Sequence, residues 1–155
     1  MSIRTTTHLN FRGDARAALE FYQSVFGGQV TIATYGDFGM PKEVPGAENV
    51  VFGQVETTDG FCVMAYDIPG QSGGSPGNAG TTHRENGTTI TDQPFFVSVR
   101  GDTLEEVQSY WAKLSAGASI IEGLAAAAWS PGFGMLTDAF GVTWILDVAS
   151  GENPA

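Results

Sequence analysis

Cysteine is nearly missing from this chain: Cys62 stands alone among 155 residues. One thiol cannot close an internal disulfide, so the fold must hold by core packing, and a reducing, cytoplasmic setting is the expectation. Positive charge is equally sparse. Seven Lys and Arg face 17 Asp and Glu, a net charge of −10. A surface of that sign repels phosphate backbones and anionic membranes, which argues against nucleic acid and membrane surfaces as partners. No apolar run approaches the roughly 18 residues that span a bilayer. Met1-Ser2-Ile3-Arg4-Thr5 also lacks the apolar core of a secretory signal.

What is abundant is glycine. The 21 glycines are about twice the usual share of ~7%. They concentrate in residues 36–46 and 70–87, which predicts short elements joined by tight turns and two long loops. With 42% hydrophobic and 15% charged residues, the chain has enough apolar material for one domain or for two small halves.

An internal repeat favours two halves. Arg12-Gly13-Asp14 returns as Arg100-Gly101-Asp102. The same offset carries Leu9 onto Val97, Phe11 onto Val99, Leu19 onto Val107, Tyr22 onto Tyr110 and Phe26 onto Leu114. Matching apolar phase on both sides of a tripeptide is hard to obtain by chance. Each copy reads as strand, turn, helix. Leu9 and Phe11 alternate with polar neighbours, the period of a half-buried strand. Ala15, Ala18, Leu19, Tyr22, Val25 and Phe26 then form one helical face, expected to begin at an Asp14 cap and to stop at Gly27-Gly28. In the second copy Asp102 is the expected cap, with Glu105 completing a capping box ahead of Val107, Tyr110, Trp111 and Leu114.

Strand-like segments follow each helix: 29–35, 49–56 and 61–67 in the first half, 119–122, 134–138 and 142–148 in the second. Thr58-Asp59-Gly60 and Ala139-Phe140-Gly141 mark the turns. The expected fold class is therefore α+β: two β-α-β-β-β modules, residues 1–67 and 94–150, joined by a Gly/Ser-rich linker at 68–93. Their sheets would form a curved mixed sheet around an open cup, with the helices on the outer face.

This duplicated plan resembles the vicinal oxygen chelate superfamily of glyoxalases, bleomycin resistance proteins and dioxygenases. Leu9-Asn10-Phe11, the run from Ala18 to Gly28, and Asp138-Ala139-Phe140-Gly141-Val142-Thr143-Trp144 resemble its PhnB-like branch. The likeness extends from about Thr7 to Val148. It is more specific for fold than for reaction, because one scaffold hosts several chemistries.

The resemblance implies a homodimer, a small-molecule ligand and, in the family's enzymes, one divalent metal ion. Four His or Glu side chains hold that ion, taken from the first and last strands of each half. His8 stands at such a position, but its counterpart is Phe96. The last strand of the first half offers Ala65, Tyr66 and Asp67. The family glutamate of the second half falls on Ile145, with Asp147 two residues on. The ligand set is thus incomplete: His8 as metal ligand, with Glu56 or Asp67 as the catalytic carboxylate. A lone strand histidine is more often simply hydrogen-bonded, and Asp67 and Asp147 read equally well as capping residues.

Other chemistries find little support. Cys62 lies in an apolar strand and reads as a structural thiol, and His83 falls in the linker. Asn86-Gly87-Thr88 matches a glycosylation acceptor without a secretory context, and no G-x-G-x-x-G opens a helix. Some relatives are ascribed a ubiquinone methyltransferase activity, for which no methyl-transfer cofactor fold is visible here. Aromatic and apolar residues say more. Phe38 and Met40 in one loop, Trp129 in another, and Phe96 and Ile145 on strands would line an apolar pocket with a few polar groups. Three functions stay open: a protein that binds or transforms a small molecule in the cup, with metal-assisted chemistry if it is an enzyme, a metal-free, antibiotic-type binding protein, and a degenerate member retained for an interaction surface.

Overall fold

The computed structural model describes residues 2–74 and 81–150. It divides into two compact units, Met1–Ser75 and Pro76–Ala155. The first contains β1 (Thr7–Phe11), α1 (Ala15–Phe26), β2 (Gln29–Thr34), β3 (Val50–Glu56) and β4 (Cys62–Asp67), with a 3-10 turn at Gly36–Phe38. The second contains β5 (His83–Glu85), β6 (Thr88–Ile90), β7 (Val97–Gly101), α2 (Leu104–Leu114), β8 (Ser119–Ala127), β9 (Ser130–Thr137) and β10 (Thr143–Val148).

The repeat read from the sequence is a repeat of topology. One sheet runs β1-β4-β3-β2 and the other β7-β10-β9-β8. In each, the first and last strands of the module pair in parallel, and the remaining pairs are antiparallel. The protein is α+β with mixed sheets, as the pattern of elements requires.

Each helix presents its apolar stripe to its own sheet. Ala15, Ala18, Leu19, Tyr22 and Val25 are buried, together with Leu9, Phe11, Val55, Val63 and Ala65 of the strands. Close approach depends on glycine. A Cβ on Gly53 would strike Leu19 Cδ1 and sit 2.9 Å from the Ala65 carbonyl oxygen. On the equivalent strand of the second unit, a Cβ on Gly134 would lie 2.7 Å from the Trp111 ring. Packing a helix this tightly leaves no room for a methyl group.

The helix starts differ from expectation in both units. Asp14 makes no side-chain capping bond. The first turn of α1 is instead satisfied from across the sheet, where Asp67 Oδ1 accepts the N–H groups of Gly13 at 2.9 Å and Ala15 at 3.0 Å. A buried carboxylate on the adjacent strand, paired in register with Phe11, replaces the local cap because it satisfies the same free donors and a strand N–H as well. In α2 the cap is Thr103, whose hydroxyl accepts from Glu106 N at 3.2 Å. The capping pattern sits one residue later than Asp102 and Glu105 would place it. At the other end of α1, Gly27 takes φ 80° and ψ −159°, a region that only glycine enters freely.

The second unit is more fully stranded than its composition suggests. Strands β8 and β9 run on to Ala127 and from Ser130, so the Trp129–Gly134 stretch is a turn followed by a strand, not a loop. Within the segment read as linker, β5 and β6 pair as a hairpin across Asn86 (φ 51°) and Gly87 (φ 75°). Two consecutive positive φ values are the signature of a tight hairpin turn, and Asn-Gly is its commonest sequence. Residues 75–80 of that segment lie outside the described residues. No helix among the described residues is long and apolar enough to cross a membrane.

Candidate ligand-binding face

Because side chains alternate along a strand, each sheet has a face under its helix and a face turned away from it. In the first unit the helix face holds Leu9, Phe11, Val63, Ala65 and Val55, all buried. The register then places His8 beside Met64 and Asn10 beside Tyr66 on the other face. Gln54 lies beside Met64, and Glu56 beside Cys62. His8 Nδ1 lies 3.1 Å from Asn10 Oδ1, and its ring meets Tyr66 edge-on at 5.3 Å between centroids. Gln54 Nε2 donates to Glu56 Oε2 at 3.0 Å, while Arg4 holds Glu56 Oε1 at 3.4 Å. The β3–β4 end of this face opens into a cleft of about 1180 Å³ whose lining includes Arg4, Thr6, Gln54, Glu56, Phe61 and Cys62. Thr6 Oγ1 lies 3.7 Å from the half-buried Cys62 Sγ.

Of the residues the sequence singled out, His8 and Glu56 share this face. Asp67 does not. It is 1% exposed and belongs to the helix face. Besides Gly13 and Ala15, it takes the Val50 N–H on Oδ2 at 2.8 Å, so both oxygens are committed to backbone. The partial set of His8 with Asp67 is therefore not assembled, and Asp67 is a structural carboxylate. Tyr35 donates its hydroxyl to the Asp67 carbonyl at 2.8 Å. Burial, then the nearby Tyr66 and Asp67 charges, push the Tyr35 phenol above its ordinary range. Asp147 is likewise engaged. It forms a two-point pair with Arg100 at 3.0 Å on each oxygen, which pushes the Arg100 guanidinium pKa up.

Phe38 and Met40 lie on the β2–β3 connection, Phe38 being 73% exposed and Met40 half-buried. In the second unit Ile145 is half-buried between Ser98 and Met135 on neighbouring strands, and Phe96 is half-buried just before β7. Trp129, 54% exposed at the β8–β9 turn, sits edge-on to Phe133 at 5.2 Å. The hairpin β5–β6 covers part of the face turned away from α2. Thr89 Oγ1 reaches Met135 Sδ at 3.6 Å, and Arg84 lies over the Phe133 ring. Sequence reasoning passed over Arg84 by treating 68–93 as linker, although Asn86-Gly87 was the signal that could have revealed it.

The donor chemistry does not fit a divalent cation. His8 has an amide, a thioether and a phenol around it, where a divalent ion needs carboxylate or further imidazole donors converging on one point. No group of three or more His, Cys, Asp or Glu side chains able to hold a metal occurs among the described residues.

The glyoxalase/bleomycin resistance protein/dioxygenase superfamily model matches residues 6–146. The chain belongs to that superfamily. Among solved structures in or near it, the PhnB protein from Bacillus cereus is 27% identical, over 95% of this chain and 100% of its own, with a TM-score of 0.66. Protein PA1353 from Pseudomonas aeruginosa is 24% identical, over 95% and 98%, with a TM-score of 0.72. A glyoxalase/bleomycin resistance protein/dioxygenase family enzyme from Burkholderia phytofirmans PsJN is 17% identical, over 94% and 97%, with a TM-score of 0.55. The last two speak to fold alone. No curated protein matches the sequence. This superfamily member thus has PhnB-like neighbours, on a β-α-β-β-β plan present in both units.

Proposed function

We propose that this superfamily member binds a small organic molecule on the helix-free face of its first unit, without a resident metal ion. The observation that carries the reading is the row of His8, Asn10, Gln54 and Tyr66 around Met64, beside an open cleft. Met64 and the Tyr66 ring supply a soft, polarisable surface for a planar body, while the imidazole and the two amides supply directional hydrogen bonds. Glu56 adds an acceptor at the cleft edge, already oriented by Arg4 and Gln54. The ligand class is a planar, partly apolar molecule with hydrogen-bonding substituents, in the manner of a sequestering protein rather than a metal lyase. A homodimer, which the family resemblance implies, is part of the proposal and is read by light scattering.

The test is a thermal-shift and calorimetric screen of aromatic metabolites and antibiotics, with and without EDTA. A hit should bind equally in both conditions, and His8→Ala or Tyr66→Ala should weaken it by about tenfold, about 1.4 kcal/mol, with the melting temperature unchanged. Binding that requires a divalent cation, or is indifferent to both substitutions, would overturn the proposal.

A further inference from the structure

A second recognition site lies in the other unit and does not rest on the reading above. We infer that Arg84, on the hairpin that lies across β8 and β9, binds a small organic carboxylate. Three observations converge on it. Its Cζ lies 5.2 Å from the centroid of the Phe133 ring, a cation–π contact that holds the guanidinium against the ring. Its Nη1 donates to Thr89 Oγ1 at 2.9 Å. The Thr89 proton is directed to Met135 Sδ, so the hydroxyl presents its lone pairs to the arginine. Its Nε is shielded from water and has no acceptor.

An arginine held this way is already oriented and lacks a counter-charge. No ion pair to Arg84 occurs among the described residues. Its strand neighbour Glu85 lies 3.6 Å from His83 Nε2, and Glu122, opposite Met135 in register, makes no ion pair with it. In a chain of net charge −10, leaving one of the few cations partly buried and unmatched is unfavourable unless an anion completes it. The planar fork of N–H donors fits a carboxylate. Trp129, edge-on to the same Phe133 ring, offers an exposed aromatic surface for the body of such a ligand. The carboxylate takes Nη2, which has no acceptor among the described residues.

Sodium benzoate is the probe, with benzyl alcohol and benzylamine as neutral and cationic matches of the same size. Titrations of the intact chain are read by tryptophan fluorescence and calorimetry. Of the three tryptophans, Trp144 is fully buried, Trp111 is half-buried on α2 against Gly134, and Trp129 is exposed, so quenching lost in Trp129→Phe locates the site. Benzoate should bind at least about tenfold more tightly than either match, and Arg84→Gln should weaken it by about tenfold. Arg84→Lys, which keeps charge but not the fork, should fall between. Equal binding of benzoate and benzyl alcohol to the wild-type chain overturns the inference even if a variant fails to fold. So does an unchanged affinity in a folded Arg84→Gln protein. His8→Ala should leave benzoate binding intact. Loss there and not in Arg84→Gln would place the anion on the first unit and refute the site.

Discussion

Asp67 invites a substitution that separates a structural carboxylate from a catalytic one. Its two oxygens accept the Gly13, Ala15 and Val50 N–H groups at 2.8–3.0 Å, joining the β1–α1 turn to the start of β3. In Asp67→Asn the amide oxygen can keep Gly13 and Ala15, but as neutral bonds, each about 1 kcal/mol weaker than a charge-assisted one. The amide nitrogen then faces the Val50 N–H, leaving a buried donor unsatisfied at about 1–3 kcal/mol. The expected loss is about 3–5 kcal/mol, or a fall in melting temperature of about 10–15 °C for a chain of this size. Asp67→Ala strands all three donors and should lose about 5 kcal/mol, a large part of a typical ~5–15 kcal/mol total. Urea unfolding followed by circular dichroism measures both. A destabilisation of Asp67→Asn below about 1 kcal/mol, with loss of ligand binding or turnover in the folded protein, would refute the structural role.

Gly53→Ala should cost about 1–3 kcal/mol by forcing α1 off the sheet, against Leu19 and the Ala65 carbonyl, and denaturant unfolding would show it. Leu19→Ala, removing a fully buried side chain from the same contact, should cost about 2–5 kcal/mol by the same assay. The Asp37 carboxyl lies below its ordinary value of 3.8, chiefly through the Thr34 backbone N–H and then its hydroxyl. A lowered folded pKa stabilises the turn above the unfolded value, and that contribution disappears as pH falls through the folded one. Acid titration by NMR should therefore shift the Thr34 amide in step with Asp37, at a midpoint below 3.8.

The periodicities that revealed the fold are local and repeated. The stripes from Ala15 to Val25 and at Val107 and Leu114, together with the alternation around Leu9 and Phe11, locate helices and strands because burial on one face leaves a fixed spacing. The helix caps were harder to read. Asp67 reaches α1 from a strand more than fifty residues later, and sequence pattern carries no record of a contact at that distance. The same limit hid Arg84, whose partners Thr89 and Phe133 meet only once the hairpin lies over β9. His8 was readable as a residue on the open face, because it alternates with Leu9. Its neighbours Met64 and Gln54 were not, since they depend on strand order and register.

The central claim is metal-independent ligand binding on the His8 face, and the most direct measurement is elemental analysis of the purified chain after equilibration with nickel, zinc or manganese, repeated on His8→Ala. The account predicts no stoichiometric metal in either protein and the same melting temperature before and after EDTA. One equivalent of metal in the wild-type chain, lost on replacing His8, would contradict it.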